Sequence, residues 1–160
     1  MSGAARRPKI LVVDDDPEIR DLIVAVLQPH GMEIVAAADG PAALLQAACQ
    51  RFELCVLDVG MPGMNGLEVC RRLRALPFTR ALPVLFMTAY QDAKTIDAAF
   101  AAGATDYLFK PVNPALLWAR VSNLLKMDEL LRKADHVREV IELLDVALGP
   151  PPGKGPARLG

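Results

Sequence analysis

The sequence predicts an α/β fold in which five parallel strands form one doubly wound (βα)5 sheet, followed by an extended C-terminal helix. Five short, mostly apolar stretches are predicted to be strands, and the run at residues 54–57 lacks polar alternation, which is typical of a strand buried on both faces of a parallel sheet. A helical segment follows each stretch, and this repetition implies right-handed βα crossovers. The last helix keeps its apolar period well beyond the end of the fifth repeat.

The element boundaries come from capping and turn signals. The predicted strands span residues 9–13, 32–37, 53–58, 82–88 and 105–110. The first helix begins at Asp16, an acid in the N-cap position before Pro17, and ends before Pro29. We favour this capping role for Asp16 over a metal-binding role. The later helices have similar starts at Asp39, Asn65, Asp92 and Asn113.

Composition excludes several classes of function. The chain has 160 residues and a formal net charge of −1, so no global field would draw it to nucleic acid or to an anionic membrane. Its three cysteines have no metal-binding spacing, and a reducing cytoplasm is the simplest compartment. No signal stretch follows the N-terminal arginines, and no apolar run approaches the roughly 20 residues of a membrane span.

Two polar features receive an ordinary interpretation. His30 has no partner motif and is predicted to be a loop residue. The basic run of Arg71, Arg72 and Arg74 is predicted to lie on a solvated helix face, because a nucleic-acid patch needs more charges over a larger area.

The C-terminal helix carries a heptad pattern. Apolar residues recur in steps of three and four from residue 127, with charged residues between them. We favour pairing with a helix from a second copy, which would make a homodimer. The alternative is a helix folded back on its own domain. The seam consists of Met127, Leu130, Ala134, Val137, Ile141, Leu144 and Leu148.

The predicted organisation has four parts. Residues 1–8 form a flexible lead, 9–126 the α/β domain, and 127–148 a coiled-coil-like extension. Residues 149–160 are rich in Pro and Gly, a composition that cannot form a core, and they are predicted to be a disordered tail or a linker.

Polar side chains follow four of the apolar runs. Asp14 and Asp15 follow the first run, Asp58 ends the third, Thr88 ends the fourth and Lys110 ends the fifth. Because the carboxyl ends of parallel strands share one edge, these groups should meet there. Three converging carboxylates repel one another, and a divalent cation such as Mg²⁺ relieves that repulsion.

These motifs together resemble a known family. VVDD at residues 12–15, DVGMPGMNG at 58–66, MTA at 87–89 and YLFKP at 107–111 are similar to the site motifs of response regulator receiver domains in two-component systems. The resemblance covers about residues 8–126 and implies a flavodoxin-like, CheY-like fold. It also implies a phosphoacceptor that receives its phosphoryl group from a histidine kinase or a phosphotransfer protein.

The resemblance assigns a role to each site residue. Asp58 accepts the phosphoryl group, while Asp15, Asp58 and the carbonyl of Gly60 bind Mg²⁺ or Mn²⁺ and Asp14 assists through water. Lys110 binds the phosphoryl group, and the bond to Pro111 is usually cis in the family. Thr88 and Tyr107 form the switch, and the small Ala89 keeps the site accessible.

The lifetime of the phosphoryl group should depend on two further positions. Gly60 has no side chain to contact an attacking water, and Tyr90 is bulky enough to shield the site. We therefore expect slow to moderate self-hydrolysis in a phosphoacceptor that is not a turnover enzyme.

Other interpretations fit less well. A hydrolase of the haloacid dehalogenase group needs a second Asp where Gly60 stands, and a nucleotide-binding fold needs a glycine-rich loop where three acids stand. A degenerate scaffold receiver would lack one of the site residues. His136 lacks the motif of a kinase dimerisation helix and is interpreted as a surface residue. The alternative that stays open is a receiver with its stalk cut from a larger multidomain regulator or signalling enzyme.

Overall fold

The computed structural model describes residues 6–149, which form two units divided between Leu125 and Lys126. Most of the predicted flexible lead and the predicted disordered tail lie outside these residues. The first unit contains one sheet with strand order β2-β1-β3-β4-β5, in which every neighbouring pair is parallel. The predicted (βα)5 fold is therefore confirmed. The elements are β1 (Lys9–Val13), α1 (Pro17–Leu27), β2 (Glu33–Ala37), α2 (Gly40–Cys49), β3 (Leu54–Asp58), α3 (Gly66–Ala75), β4 (Val84–Thr88), α4 (Ala93–Ala102), β5 (Asp106–Phe109) and α5 (Pro114–Leu148).

The sheet separates two apolar layers. Because successive strand residues point to opposite faces, Leu11 and Val13 of β1 pack into the layer with α2, α3 and α4. Ile10 and Val12 pack on the other face with α1 and the first turns of α5, where Leu117 is fully buried. Both faces of β1 and β3 are covered, as their unbroken apolar runs predict.

Several predicted strands are longer than the observed ones. Residue 32 precedes β2, residue 53 precedes β3, residue 105 precedes β5, and β4 begins at Val84 instead of Leu82. The amide of Leu82 donates to the carbonyl of Thr79 at 3.1 Å, so this residue closes a turn before the strand starts. The carboxyl ends of the strands, which matter for the site, are placed correctly to within one residue.

Arg74 does not lie on a solvated face. Its guanidinium is half-buried and donates to the carbonyl of Leu82 at 2.6 Å and to that of Gly103 at 2.8 Å. Arg71 and Arg72 are exposed and pair with Glu68, as predicted for a solvated face. The prediction is thus wrong for one of the three arginines, because Arg74 meets carbonyls that are distant in sequence.

His30 is more than a loop residue. It belongs to a 3₁₀ turn of residues 28–30, and its ring stacks on Trp118 of α5 with centroids 3.6 Å apart and planes 3° from parallel. This contact joins the end of α1 to α5 within the first unit.

The second unit continues α5 as far as Leu148, so the predicted long C-terminal helix is present. Every described side chain of residues 129–148 is exposed. Ion pairs one helical turn apart lie along it, at 3.1 Å from Arg132 to Asp128 and 3.0 Å from Lys133 to Glu129. None of the helices within residues 6–149 has the length and apolarity that a membrane crossing needs.

Candidate functional site

The acids predicted to converge do so at one edge of the sheet. Asp14 follows β1 and Asp58 ends β3, and these two strands are neighbours at the point where strand order reverses. Open α/β sheets bind ligands at this kind of position. Asp14, Asp15 and Asp58 each offer a carboxylate oxygen within 4.8 Å of the others.

Asp14 is fully buried, and both of its carboxylate oxygens are engaged. One accepts a hydrogen bond from the amide of Asp16 at 2.9 Å, and the other accepts from the Lys110 ammonium at 2.9 Å. The guanidinium of Arg20 on α1 donates to the Asp14 carbonyl at 2.6 Å. Asp14 is therefore held rigidly, while Asp15 is exposed and free to turn toward a ligand.

Asp58 is 5% exposed, and its environment opposes its charge. Burial raises the pKa of this carboxyl, and the neighbouring charge of Asp14 raises it further. The Lys110 ammonium, 3.2 Å from one Asp58 oxygen, and the amide of Gly60, which donates to that oxygen at 3.3 Å, lower the pKa in part. The net result is a carboxylate that a cation would stabilise.

Lys110 reaches both buried acids from the end of β5. Its amide donates to the carbonyl of Thr88 at 2.8 Å, which fixes the backbone, and its bond to Pro111 is cis as the resemblance implies. Burial alone would lower the pKa of Lys110, but the hydrogen bond and charges of Asp14 and Asp58 raise it overall. The side chain is therefore a charged group placed against the acids.

Thr88 ends β4, beside the strand that carries Asp58. It is 3% exposed, and its hydroxyl oxygen accepts a hydrogen bond from the Tyr90 amide at 3.0 Å. Ala89 and the ring of Tyr90 are exposed. The hydroxyl of Thr88 has only a weak acceptor at 3.4 Å, the Tyr90 carbonyl, so it is available to donate elsewhere.

Tyr107 lies on β5 in a half-buried position. Its ring packs edge-on against Phe100 of α4 with centroids 5.8 Å apart, and tilted against Phe109 at 5.2 Å. The ring is therefore in contact with α4, the helix that follows the Thr88 loop.

Close packing holds the loop after Asp58 in place. A Cβ on Gly66 would collide with the backbone carbonyl of Asp58, so only glycine allows α3 to begin so near the site. A Cβ on Gly40 would lie 2.8 Å from the sulfur of Met64, which packs this loop on the start of α2. Gly60 has open space around it.

The donor set suits a hard divalent cation. All three acidic side chains offer oxygen ligands. Both carboxylate oxygens of Asp14 already accept hydrogen bonds, from the Asp16 amide and from Lys110, whereas Asp15 and Asp58 keep oxygens that can bind an ion. Asp16 caps α1 by accepting from the amide of Glu18 at 2.9 Å and lies outside the cluster, which confirms its predicted capping role.

The contact of Arg20 with the site was not predicted from the sequence. The only signal for Arg20 was its position one helical turn after the Asp16 cap, which places it near the acids. Gly66 was predicted as part of the loop motif at 58–66 and of a helix start, but its close approach to the backbone carbonyl of Asp58 was not predicted.

Comparison with known proteins identifies the family. The profile described as the response regulator receiver domain matches residues 10–122. DNA-binding response regulator MtrA of Mycolicibacterium smegmatis is 36% identical over 148 residues, covering 92% of this chain and 61% of MtrA. Response regulator PleD of Caulobacter vibrioides is 40% identical over 129 residues, covering 78% of this chain and 28% of PleD. The structure of chemotaxis response regulator CheY4 of Vibrio cholerae matches with a TM-score of 0.72 at 34% identity, over 74% of this chain and 99% of that one.

The chain thus spans 61% of MtrA and 28% of PleD, and both relatives extend well beyond the matched region. Members of the family act with histidine kinases or phosphotransfer proteins and typically use Mg²⁺ at an acidic pocket. The family profile covers most of the first unit, and the acids of the cluster lie within it. The chain belongs to the response regulator receiver domain family of two-component signalling.

Proposed function

We propose that this protein is a phosphoacceptor whose Asp58 receives a phosphoryl group from the phosphohistidine of a histidine kinase or a phosphotransfer protein. The observation that carries the proposal is the meeting of Asp58 with Asp14, Asp15 and Lys110 at the strand-order reversal. A single acid there would be an ordinary cap or turn residue. Three acids and one ammonium form a site for a cation and a phosphoryl group together.

The transfer itself needs one nucleophile and one leaving group. A carboxylate oxygen of Asp58 forms a bond to phosphorus while the bond from phosphorus to the donor's imidazole nitrogen breaks. The electron pair of that bond leaves with the imidazole, which takes up a proton. Lys110, 3.2 Å from Asp58, places a compact positive charge beside the transferred oxygens. This chain therefore supplies the acceptor, its position and part of the charge neutralisation.

A divalent cation, Mg²⁺ or Mn²⁺, would be held by Asp15, Asp58 and the carbonyl of Gly60, with Asp14 acting through water. When bound, such an ion neutralises charge on the acids and on the phosphoryl oxygens. The rigid engagement of Asp14 by Lys110 and Asp16 supports its indirect role.

Thr88 and Tyr107 form the proposed switch. The Thr88 hydroxyl donates to a phosphoryl oxygen on Asp58, and the space it leaves is filled by the Tyr107 ring. Support comes from the position of Thr88 on the strand next to Asp58 and from the contact of Tyr107 with Phe100 on α4. Ala89 leaves the phosphoryl group accessible, and the rate of self-hydrolysis is set at Gly60 and Tyr90.

The proposed output of the switch is a homodimer formed through residues 127–148. The protein has no direct contact with nucleic acid or membrane in this proposal. The receiver domain accepts a phosphoryl group but is not a turnover enzyme. The exposed apolar residues of this helix support the pairing.

A second candidate is a receiver with its stalk that belongs to a larger regulator. It is favoured by the much greater length of MtrA and PleD, of which MtrA is described as DNA-binding.

The test is phosphorylation by a small acyl-phosphate donor with Mg²⁺, followed by intact-mass spectrometry. Wild type should gain the mass of one phosphoryl group, which hydroxylamine should remove because it cleaves acyl phosphates. Asp58→Asn should gain none. Asp39→Asn is the matched control, because Asp39 is an exposed N-cap and Asn caps equally well. A phosphoryl group on Asp58→Asn, or its absence from wild type, would reject the assignment.

A further inference from the structure

We infer that the helical extension pairs with the extension of a second copy in the antiparallel orientation. This inference rests on the proposed dimerisation and adds the geometry of the partner. The seam residues are exposed, and the exposed fraction of the residue is 51% for Leu144, 65% for Leu130 and 80% for Leu148. The pattern of core residues and charges along the helix distinguishes the two possible orientations.

The core residues fit a parallel pair poorly. In the heptad, Met127, Ala134, Ile141 and Leu148 occupy the a positions, and Leu130, Val137 and Leu144 occupy the d positions. A parallel pair sets each residue against its own copy, which gives an underfilled alanine layer at Ala134. It also sets a β-branched residue, Val137, at a d position, where two-stranded parallel coils favour leucine.

An antiparallel pair gives more even layers, because a positions then face d positions. With the two-fold axis between residues 135 and 136, Ala134 faces Val137 of the second copy, so the smallest core residue meets a larger one. Met127 then faces Leu144, and Leu130 faces Ile141. These pairings repeat across the axis, so one sequence supplies six matched layers.

The charges beside the seam support the same orientation. The residue before an a position is a g position, and the residue after a d position is an e position. In a parallel pair each g residue lies near the e residue five positions later in the partner helix. This sets Lys133 against Arg138 of the second copy, and the symmetry repeats the like-charge contact. In the antiparallel pair Lys133 lies beside Val140 and Arg138 beside Leu131, so both stems cover apolar side chains with their charges in water.

Spin labels on the outer face of the helix test the orientation in the full chain. Arg132 and Val146 occupy equivalent f positions, so their lateral distances are alike. In a parallel pair both label pairs have no axial offset and give equal separations. In the antiparallel pair the axial offset is about 10 Å for residue 132 and about 31 Å for residue 146, at about 1.5 Å of rise per residue. We therefore expect a separation at residue 146 that exceeds that at residue 132 by at least about 10 Å.

The labels should be placed on a Cys49→Ser background. Cys49 is exposed, whereas Cys55 and Cys70 are buried, and burial raises the pKa of both thiols and keeps them unreactive. Equal separations at residues 132 and 146 would overturn the antiparallel inference and leave the proposed dimerisation intact.

The mass of the protein in solution tests whether the extension dimerises at all, whereas the spin labels test the orientation of the dimer. Leu144→Asp should weaken the dimer at least about tenfold, because it places two charges in the core. Val146→Asp is the matched control, since Val146 is 84% exposed and lies off the seam, and it should leave the mass unchanged. A wild-type monomer at every concentration, or a dimer that survives Leu144→Asp, would overturn both dimerisation through the extension and its orientation.

Discussion

At the scale of single residues, the buried position of Asp58 opposes the charge of its carboxylate. Burial and the charge of Asp14 raise the pKa of Asp58, so the folded state binds a proton there more tightly than the unfolded state does. The free energy of unfolding therefore falls as pH rises from the ordinary range of an aspartate through the raised pKa. The proposed phosphoacceptor site therefore costs stability when Asp58 is ionised.

We expect Asp58→Asn to be more stable than wild type at neutral pH when EDTA removes divalent cations. The Tm should rise by a few degrees, and the difference should shrink as pH is lowered, because wild-type Asp58 then becomes protonated and neutral. Thermal unfolding followed by circular dichroism across this pH range measures both effects. A Tm difference that is independent of pH would show that the ionised carboxylate is not its source. Asp39→Asn, which changes an exposed acid, controls for the general loss of charge.

At the scale of elements, Arg74 joins the end of α3 to the start of β4 and the end of α4. Its guanidinium donates to the carbonyls of Leu82 and Gly103, and a Cβ on Gly103 would lie 2.9 Å from the arginine side chain. Gly103 also has a positive φ of 106°, so this contact depends on a residue that ends α4 in the left-handed conformation. One side chain thus satisfies carbonyls from two separate loops.

Arg74→Ala should lower the free energy of unfolding by about 1–3 kcal/mol, because the half-buried carbonyls lose charged donors. Arg72→Ala is the matched control on the same helix. Its side chain is exposed and pairs with Glu68 one turn away, an interaction that solvent screens, so the loss should be smaller than for Arg74→Ala. Urea denaturation of the two variants gives the comparison. Equal losses in both would show that the loop carbonyls gain little from Arg74.

The same elements show which parts of the fold can be predicted from sequence. Helix starts such as Asp16 and Asn65 depend on side chains within three residues, and strand ends depend on short apolar runs, so both are visible locally. The converging acids were predictable because parallel strands share a carboxyl edge. By contrast, the contacts of Arg74 with Gly103 and of His30 with Trp118 join residues far apart in sequence. No local pattern distinguishes these residues from surface arginines and loop histidines.

At the scale of the whole molecule, stability and ligand binding are linked through the acidic cluster. A cation that binds only the folded state raises the free energy of unfolding by an amount set by its concentration relative to Kd, about 2.7 kcal/mol at 100 times Kd. Because Asp14, Asp15 and Asp58 repel one another without an ion, Mg²⁺ should raise the Tm of the first unit as a whole.

Removing the exposed ligand should abolish most of this gain. We expect Asp15→Asn to lose most of the Mg²⁺-dependent rise in Tm, since it removes a carboxylate that no other group in the cluster engages. Asp16→Asn should keep the rise, because residue 16 caps α1 outside the cluster and Asn preserves the cap. Thermal unfolding over a Mg²⁺ titration separates the two variants. If Asp15→Asn kept the full rise, or if Asp16→Asn lost it, the ion would bind away from the predicted ligands, and the charge balance proposed around Asp58 would fail with it.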